Sequence, residues 1–228
     1  MFKSVLAAAA LLAVPATASA QEGGWDFGLG AGTDNRSKMA SKSDGDPFAW
    51  GQATWTSADG AVYAGPAFET VKSNGSELEL EVNAGWRPQW LGFDWDLNVA
   101  HKWQVDADPA SDDDAWEFTA EVSRSVGPAS ASVQLQHSPD GTGSTEAWTW
   151  AQAELGWEFR PSWEVSAAVG RREQDNAQDY TGWNAGLTWS PSRNLDLDLR
   201  YYDTDAQDLP GDPTRYDSAV VLAVSTWF

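Results

Sequence analysis

The chain has 228 residues, a formal charge of −20 and an isoelectric point of about 4.1. So acidic a surface repels a phosphate backbone and excludes nucleic acid as a partner, because that affinity rests on Lys and Arg displacing counterions. Cysteine is absent, which rules out disulfides, thiolate nucleophiles and Cys-based metal sites, and two histidines leave little room for a histidine cluster.

Residues 1–20 read as a targeting segment. Lys3 forms a charged start, Val5 to Val14 is an apolar run, and Ala18-Ser19-Ala20 is a small-residue cleavage site. The apolar run is too short for a spanning helix, which needs about 20 residues. The expected mature domain is residues 21–228, exported after cleavage at Ala20.

Beyond residue 20, alternation with a period of two replaces any helical period. Leu78, Leu80, Val82, Ala84 and Trp86 interleave with Glu77, Glu79, Glu81, Asn83 and Gly85. Phe93, Trp95, Leu97 and Val99 interleave with Asp94, Asp96 and Asn98, and Leu195, Leu197 and Leu199 with Asp196, Asp198 and Arg200. Each such segment is a strand with one apolar and one polar face. The pattern predicts twelve strands, near 25–31, 48–56, 61–71, 77–87, 93–102, 115–125, 129–137, 147–159, 163–172, 180–189, 195–202 and 217–228. Two places break it. Pro66 lies inside a strand and predicts a bulge, since proline cannot donate to a ladder. Phe48 and Trp50 have the opposite parity from Trp55, leaving the facing of that strand open.

Short connections, four with proline (Pro88, Pro128, Pro161, Pro191), alternate with mostly longer polar ones. An even strand number with short turns on one rim and longer loops on the other is the pattern of an all-β, antiparallel, up-and-down transmembrane barrel. A secreted β-sandwich shares the alternation. Tryptophan placement separates the two. Trp86, Trp90, Trp157, Trp163, Trp189 and Trp227 stand beside short turns or the C-terminus; Trp103, Trp116, Trp148, Trp150 and Trp183 stand toward the loops. Aromatic residues at both strand ends predict two interfacial girdles.

A turn centred between Gln89 and Trp90 would oppose Trp86 with Phe93, Val82 with Leu97, and Glu77 with Lys102. One centred between Val126 and Gly127 would oppose Phe118 with Leu135, and set His137 across from Trp116. Apolar residues then meet apolar ones, and the polar set faces the lumen. That lining is expected to hold Glu77, Glu79, Glu81, Asp94, Asp96, Glu117, Glu121, Glu154, Asp196 and Asp198 against Arg87, Lys102, Arg172 and Arg200. Carboxylates crowded in a narrow tube concentrate cations and repel anions. A hydrogen-bonded plug with no through-path is the alternative.

Catalytic and metal readings are weak. His137 and Ser138 are strand neighbours that point to opposite faces and cannot form a nucleophile–base pair. The loop carboxylates Asp106, Asp108, Asp112, Asp113 and Asp114, and then Asp203, Asp205, Asp208 and Asp212, lack the glycine and glutamate of a calcium loop. No enzyme, metal or organic cofactor is expected.

Several short stretches resemble the TorF family of porins: His137-Ser138-Pro139-Asp140, Tyr180-Thr181-Gly182-Trp183, Tyr201-Tyr202-Asp203-Thr204-Asp205, Tyr216-Asp217-Ser218-Ala219-Val220-Val221 and the terminal Val224-Ser225-Thr226-Trp227-Phe228. The resemblance implies an outer-membrane barrel with a channel role, and supplies no substrate or catalytic set. The last strand, with Val220, Leu222, Val224 and Phe228, also resembles the C-terminal signal read by the barrel-assembly machinery. The sequence thus leads to a porin-like channel for small hydrophilic solutes or ions, cation-preferring, set in outer-membrane lipid. A non-conducting structural or adhesive barrel with acidic loops is the alternative.

Overall fold

Alternating residues commit a chain to strands, and a sheet of amphipathic strands with no partner layer must close on itself to satisfy its edges. The computed structural model describes residues 23–143, 145–207 and 214–228. It shows twelve long strands and no helix among the described residues. They are β1 Gly24–Gly32, β2 Phe48–Thr56, β3 Val62–Ser73, β4 Ser76–Trp86, β5 Phe93–Val105, β6 Asp114–Val126, β7 Ala129–Gly141, β8 Glu146–Arg160, β9 Trp163–Gln174, β10 Tyr180–Ser192, β11 Leu195–Thr204 and β12 Ala219–Trp227. Each strand pairs antiparallel with its sequence neighbours, and β12 pairs with β1. Phe27 and Phe228 exchange backbone hydrogen bonds of 3.2 and 2.9 Å at that seam. The barrel is closed. The expected signal segment lies outside the described residues.

Short connections follow β2, β4, β6, β8 and β10, as the sequence predicts. On the opposite rim the β3–β4 connection is shorter than expected. Asn74 and Gly75 both have positive φ, 52° and 79°, the two-residue turn that matches strand twist.

The outward face is apolar. Val82, Leu97, Phe118, Leu135, Val169, Leu199 and Leu222 are exposed there. Trp25, Trp86, Trp90, Trp157 and Trp189 ring the short-turn end, and Trp103, Trp116 and Trp183 the loop end. His101 sits with the loop-end ring, 4.1 Å from Trp103 and 4.4 Å from Trp116, with Nε2 2.7 Å from Asp114 Oδ2.

Three tryptophans depart from the expected girdles. Trp148 and Trp150 are buried inside the barrel, in a cluster with Met39, Ala168, Tyr180 and Tyr216. They share strand parity with Gln152 and Glu154, and that parity decides their side. Trp227 also points inward, 5.6 Å from Trp50. Their room comes from glycine on β1. A Cβ at Gly28 would lie 2.5 Å from Trp227, one at Gly30 2.3 Å from Trp50, and one at Gly32 2.6 Å from Phe48. The open facing of β2 is thereby resolved: Phe48 and Trp50 face inward and Trp55 outward.

Register differs from expectation at two hairpins. Trp86 opposes Leu97 and Glu81 opposes Lys102, because the β4–β5 turn is centred on Leu91-Gly92. These residues have φ of 54° and 78°, and the ladder skips Arg87-Pro88. The β6–β7 hairpin turns at Gly127-Pro128, so Leu135 opposes Ala120 and His137 opposes Phe118. The slips are four and two residues, both even, so every side chain keeps its face.

Pro66 produces no bulge. The β2–β3 ladder loses pairing at Ala53-Thr54 opposite Gly65-Pro66 and resumes in the same register. A Cβ on Gly65 would lie 1.8 Å from the Ala53 carbonyl oxygen, so only glycine permits this approach. The irregularity falls instead between Thr70 and Ser73.

Two sets of substitutions test these assignments. Leu97→Arg on the outer face should cost about 2–4 kcal/mol of folding stability in a bilayer, and Asn98→Arg less. Equal losses in urea titrations of folding into vesicles would contradict the facing. Gly65→Ala should cost about 1–3 kcal/mol through overpacking. Gly24→Ala, where a Cβ meets nothing within 4 Å, should be close to neutral.

Candidate functional site

The interior is the chemically distinctive part of the molecule. At its loop end the chain between β1 and β2, residues 33–47, folds into the barrel around a two-residue ladder of Arg36–Ser37 with Ala40–Ser41. This strap is tied down on several sides. The Tyr180 hydroxyl donates to the Lys38 carbonyl at 2.8 Å, and Asn184 Nδ2 donates to Met39 Sδ at 3.0 Å. The Ser41 N–H donates to the Arg215 carbonyl at 2.8 Å, and the Lys72 N–H to the Lys42 carbonyl at 2.6 Å. Met39 is buried against Gly182, where a Cβ would come within 2.6 Å of its own.

The strap delivers two cations to the wall carboxylates. Lys42 bonds Glu69, and Glu79 at 2.8 Å. Lys38 Nζ lies 3.8 Å from Glu117 and 4.3 Å from the Trp148 ring centre, which Arg172 also approaches at 4.7 Å. From the wall, Lys102 reaches Glu117 at 3.2 Å, Glu81 at 3.4 Å and Glu79 at 3.5 Å. Gln136 Nε2 donates to Glu117 at 2.7 Å. Glu79 and Glu117 are buried, and unpaired buried carboxylates would be costly, so the lysines make their burial possible. A cavity of about 90 Å³ lies among these groups.

Burial pushes the Lys38 ammonium down to about 7, with Lys102, Arg172 and Lys42 adding to the fall and Glu117 opposing it. Burial acts on Lys42 the same way, but Glu69 and Glu79 outweigh it and hold its pKa above the ordinary lysine value. Carboxylates raise both strap lysines; burial outweighs the single carboxylate Glu117 at Lys38, while Glu69 and Glu79 together outweigh it at Lys42.

Toward the short turns the lining changes. The Tyr63 hydroxyl donates to Asp96 at 2.8 Å, Arg87 lies 3.0 Å from the same carboxylate, and Asn98 donates to the Tyr63 oxygen at 2.9 Å. Across the barrel Arg200 binds Asp198 at 3.1 Å, Asn184 Oδ1 at 2.7 Å and Ser166 Oγ at 2.9 Å. Other carboxylates here accept from neutral side chains: Asp94 from Gln89 at 2.8 Å, Glu121 from Gln134 at 3.3 Å, Glu154 from Gln152 at 3.5 Å, and Asp196 from Ser190 at 2.6 Å. A cavity of about 220 Å³ is lined by Tyr63, Asp96, Asn98, Thr119, Glu121 and Gln134.

A model described as a bacterial protein of unknown function (Gcw_chp) matches residues 28–228. The chain belongs to the Gcw_chp family. No curated protein matches its sequence. Among solved structures, the Gcw_chp barrel is similar to the KdgM porin, with a TM-score of 0.61 and 6% identity over 89% of this chain and 99% of that one. The NanC porin gives a TM-score of 0.61 and 7% identity over 89% of this chain and 99% of that one. The COG4313 outer membrane channel from Pseudomonas putida F1 gives 0.55 and 10%, over 92% and 97%. Likeness at such low identity shows a shared fold.

In the Gcw_chp barrel, the sequence-predicted acidic residues divide. Glu79, Glu81 and Glu117 meet at Lys102, while Asp94, Asp96, Glu121, Glu154, Asp196 and Asp198 lie toward the short turns. Glu77 is exposed at the loop-side end of β4, so Lys102 serves Glu79, Glu81 and Glu117 rather than Glu77. Lys38 and Lys42 were not expected in the lumen. A signal for them exists: three of the chain's 14 basic residues, Arg36, Lys38 and Lys42, fall within seven positions. His137 and Ser138 stay apart, with His137 Nδ1 3.0 Å from Thr149 Oγ1 outside and Ser138 Oγ donating to the Asp140 carbonyl at 2.8 Å inside. Asp208 and Asp212 of the last acidic loop lie outside the described residues. Val220, Leu222, Val224 and Phe228 are exposed on the outer face.

Lysine-selective NMR of the detergent-solubilised protein tests the electrostatics of the strap. One resonance, removed by Lys38→Gln, should titrate near pH 7, and the Lys42 resonance should stay charged beyond the ordinary lysine value of about 10.4. Both titrating at that ordinary value would contradict the burial of the strap.

Proposed function

We propose that the chain is an outer-membrane channel for passive diffusion of small hydrophilic solutes and ions, with a preference for cations. The observation that carries this reading is the set of carboxylates in the short-turn half, held by Gln and Ser rather than by cations, inside a closed barrel with an apolar outer face. Their uncompensated field draws cations in and repels anions. The fold shared with KdgM and NanC and the resemblance to TorF porins support it. KdgM has been seen in complex with oligogalacturonate. A polyanion is a poor match for the acidic lumen here, which favours cations and neutral polar solutes instead. A channel of this kind needs no catalytic residues.

The rest of the reading follows from the ends of the chain. Cleavage after Ala20 delivers residues 21–228 to the outer membrane, and the outward row of Val220, Leu222, Val224 and Phe228 is offered to the barrel-assembly machinery. A second reading, a non-conducting structural or adhesive barrel, is favoured by one observation. The strap fills part of the loop-side lumen, and its contacts there are dense.

Planar-bilayer recording of the refolded protein discriminates the two. Discrete conductance steps are expected, with a reversal potential in a KCl gradient that lies on the cation side. Inserted barrels without conductance steps would support the closed alternative, and an anion-side reversal would overturn the preference.

A further inference from the structure

The lumen's carboxylates have two kinds of partner, and the two kinds are separated along the barrel. In the loop half, Glu69, Glu79, Glu81 and Glu117 are met by Lys38, Lys42 and Lys102. In the short-turn half Arg87 pairs with Asp96, and Arg200 pairs with Asp198 while also lying within electrostatic reach of Glu154. Asp94, Glu121, Glu154 and Asp196 have only neutral hydrogen-bond donors, Gln89, Gln134, Gln152 and Ser190. One segment of the tube is therefore close to electroneutral and the other is strongly negative.

We propose that this charge step makes the channel rectify: the strap lysines Lys38 and Lys42 neutralise one half of the lumen only, so ions pass more readily in one direction than in the other. The inference rests on the channel reading above. When voltage drives cations out of the acidic segment into the neutral one, they accumulate at the step and raise conductance. With the opposite voltage the step is depleted of mobile ions and conductance falls. A uniformly acidic tube would select cations without rectifying. The effect needs a Debye length comparable to the lumen, about 10 Å at 0.1 M salt, and should fade at about 1 M, where that length is about 3 Å.

The strap is what makes the step, because its lysines come from residues 33–47 rather than from the wall. Without them the wall cations Lys102 and Arg172 and the loop residue Arg215 would still line the loop-half cavity with Glu79 and Glu117, but the negative field would reach further along the barrel. The charge step is thus set by a segment that could be altered while the wall strands keep their sequence.

Single inserted channels, each recorded at equal and opposite voltages, test this. In about 0.1 M KCl, at a pH below the Lys38 value of about 7 so that both strap lysines are charged, the two currents of the wild type should differ by roughly twofold, converging at about 1 M. Two variants should both bring the low-salt ratio towards one while moving cation preference in opposite directions. Lys38→Gln with Lys42→Gln should raise the preference by exposing Glu69, Glu79 and Glu117. Asp94→Asn, Glu121→Gln and Glu154→Gln together should lower it, and since these groups bond neutral donors, no ion pair is broken and folding should survive. Equal wild-type currents at low salt, or a ratio unchanged in the second variant, overturn the inference and leave the channel reading standing. A wild type that inserts and passes no current defeats the channel reading and the inference with it.

Discussion

The loop half of the interior depends on one exchange of charge: three lysines, Lys38, Lys42 and Lys102, against four carboxylates, Glu69, Glu79, Glu81 and Glu117. Carboxylates withdrawn from water in a narrow space repel one another and are costly to keep ionised. A wall lysine cannot serve all of them. The loop 33–47 enters the barrel and supplies the other two cations, and its own backbone then needs partners inside. Tyr180, Lys72 and Arg215 provide them. The buried cluster around Met39, Trp148, Trp150 and Tyr180 forms the apolar support of that strap.

Size complementarity along the wall makes room for this interior. Inward glycines stand where large side chains lie across them: Gly30 under Trp50, Gly170 under Trp150, Gly182 under Met39, Gly186 under Arg200. A small residue on one strand facing a large one on its neighbour lets a twelve-stranded barrel hold both a folded strap and open volume. The outer face has no such pairing. Its apolar residues are selected for contact with a fluid hydrocarbon, which needs no shape match.

Face assignment was legible in the sequence because it depends only on parity. Leu97 outside and Asn98 inside follow from alternation, and even register slips leave them there. Register was not legible: the tight turn depends on Leu91 adopting positive φ beside Gly92, which β-propensity does not encode, and Pro88 disguises where the ladder pauses. Trp148 and Trp150 were misassigned because apolarity and nearness to the loops outweighed their shared parity with Gln152 and Glu154. The strap lysines escaped for a different reason. Nothing local tells a loop to fold inward; that outcome is dictated by carboxylates on β3, β4 and β6, 27 or more residues away in the chain. Alternation gives the parity of the acidic residues but not their field, since two of the lysines that pair with them, Lys38 and Lys42, come from outside the strands.

The entry of the strap into the lumen is the claim on which both the electrostatics and the transport reading turn, and a chain without cysteine allows a direct test of it. Met39→Cys with Gly182→Cys brings two thiols together: the Cβ positions lie 2.6 Å apart, and the strap must draw back by about 1 Å to reach the disulfide spacing of about 3.8 Å. Mild oxidation of the folded double variant should link the strap to β10 with near-complete yield, seen by mass spectrometry of the peptides after digestion, while each single variant stays unlinked. Two thiols that remain reduced and react freely with a bulky polar maleimide would place the strap outside the barrel and contradict the account.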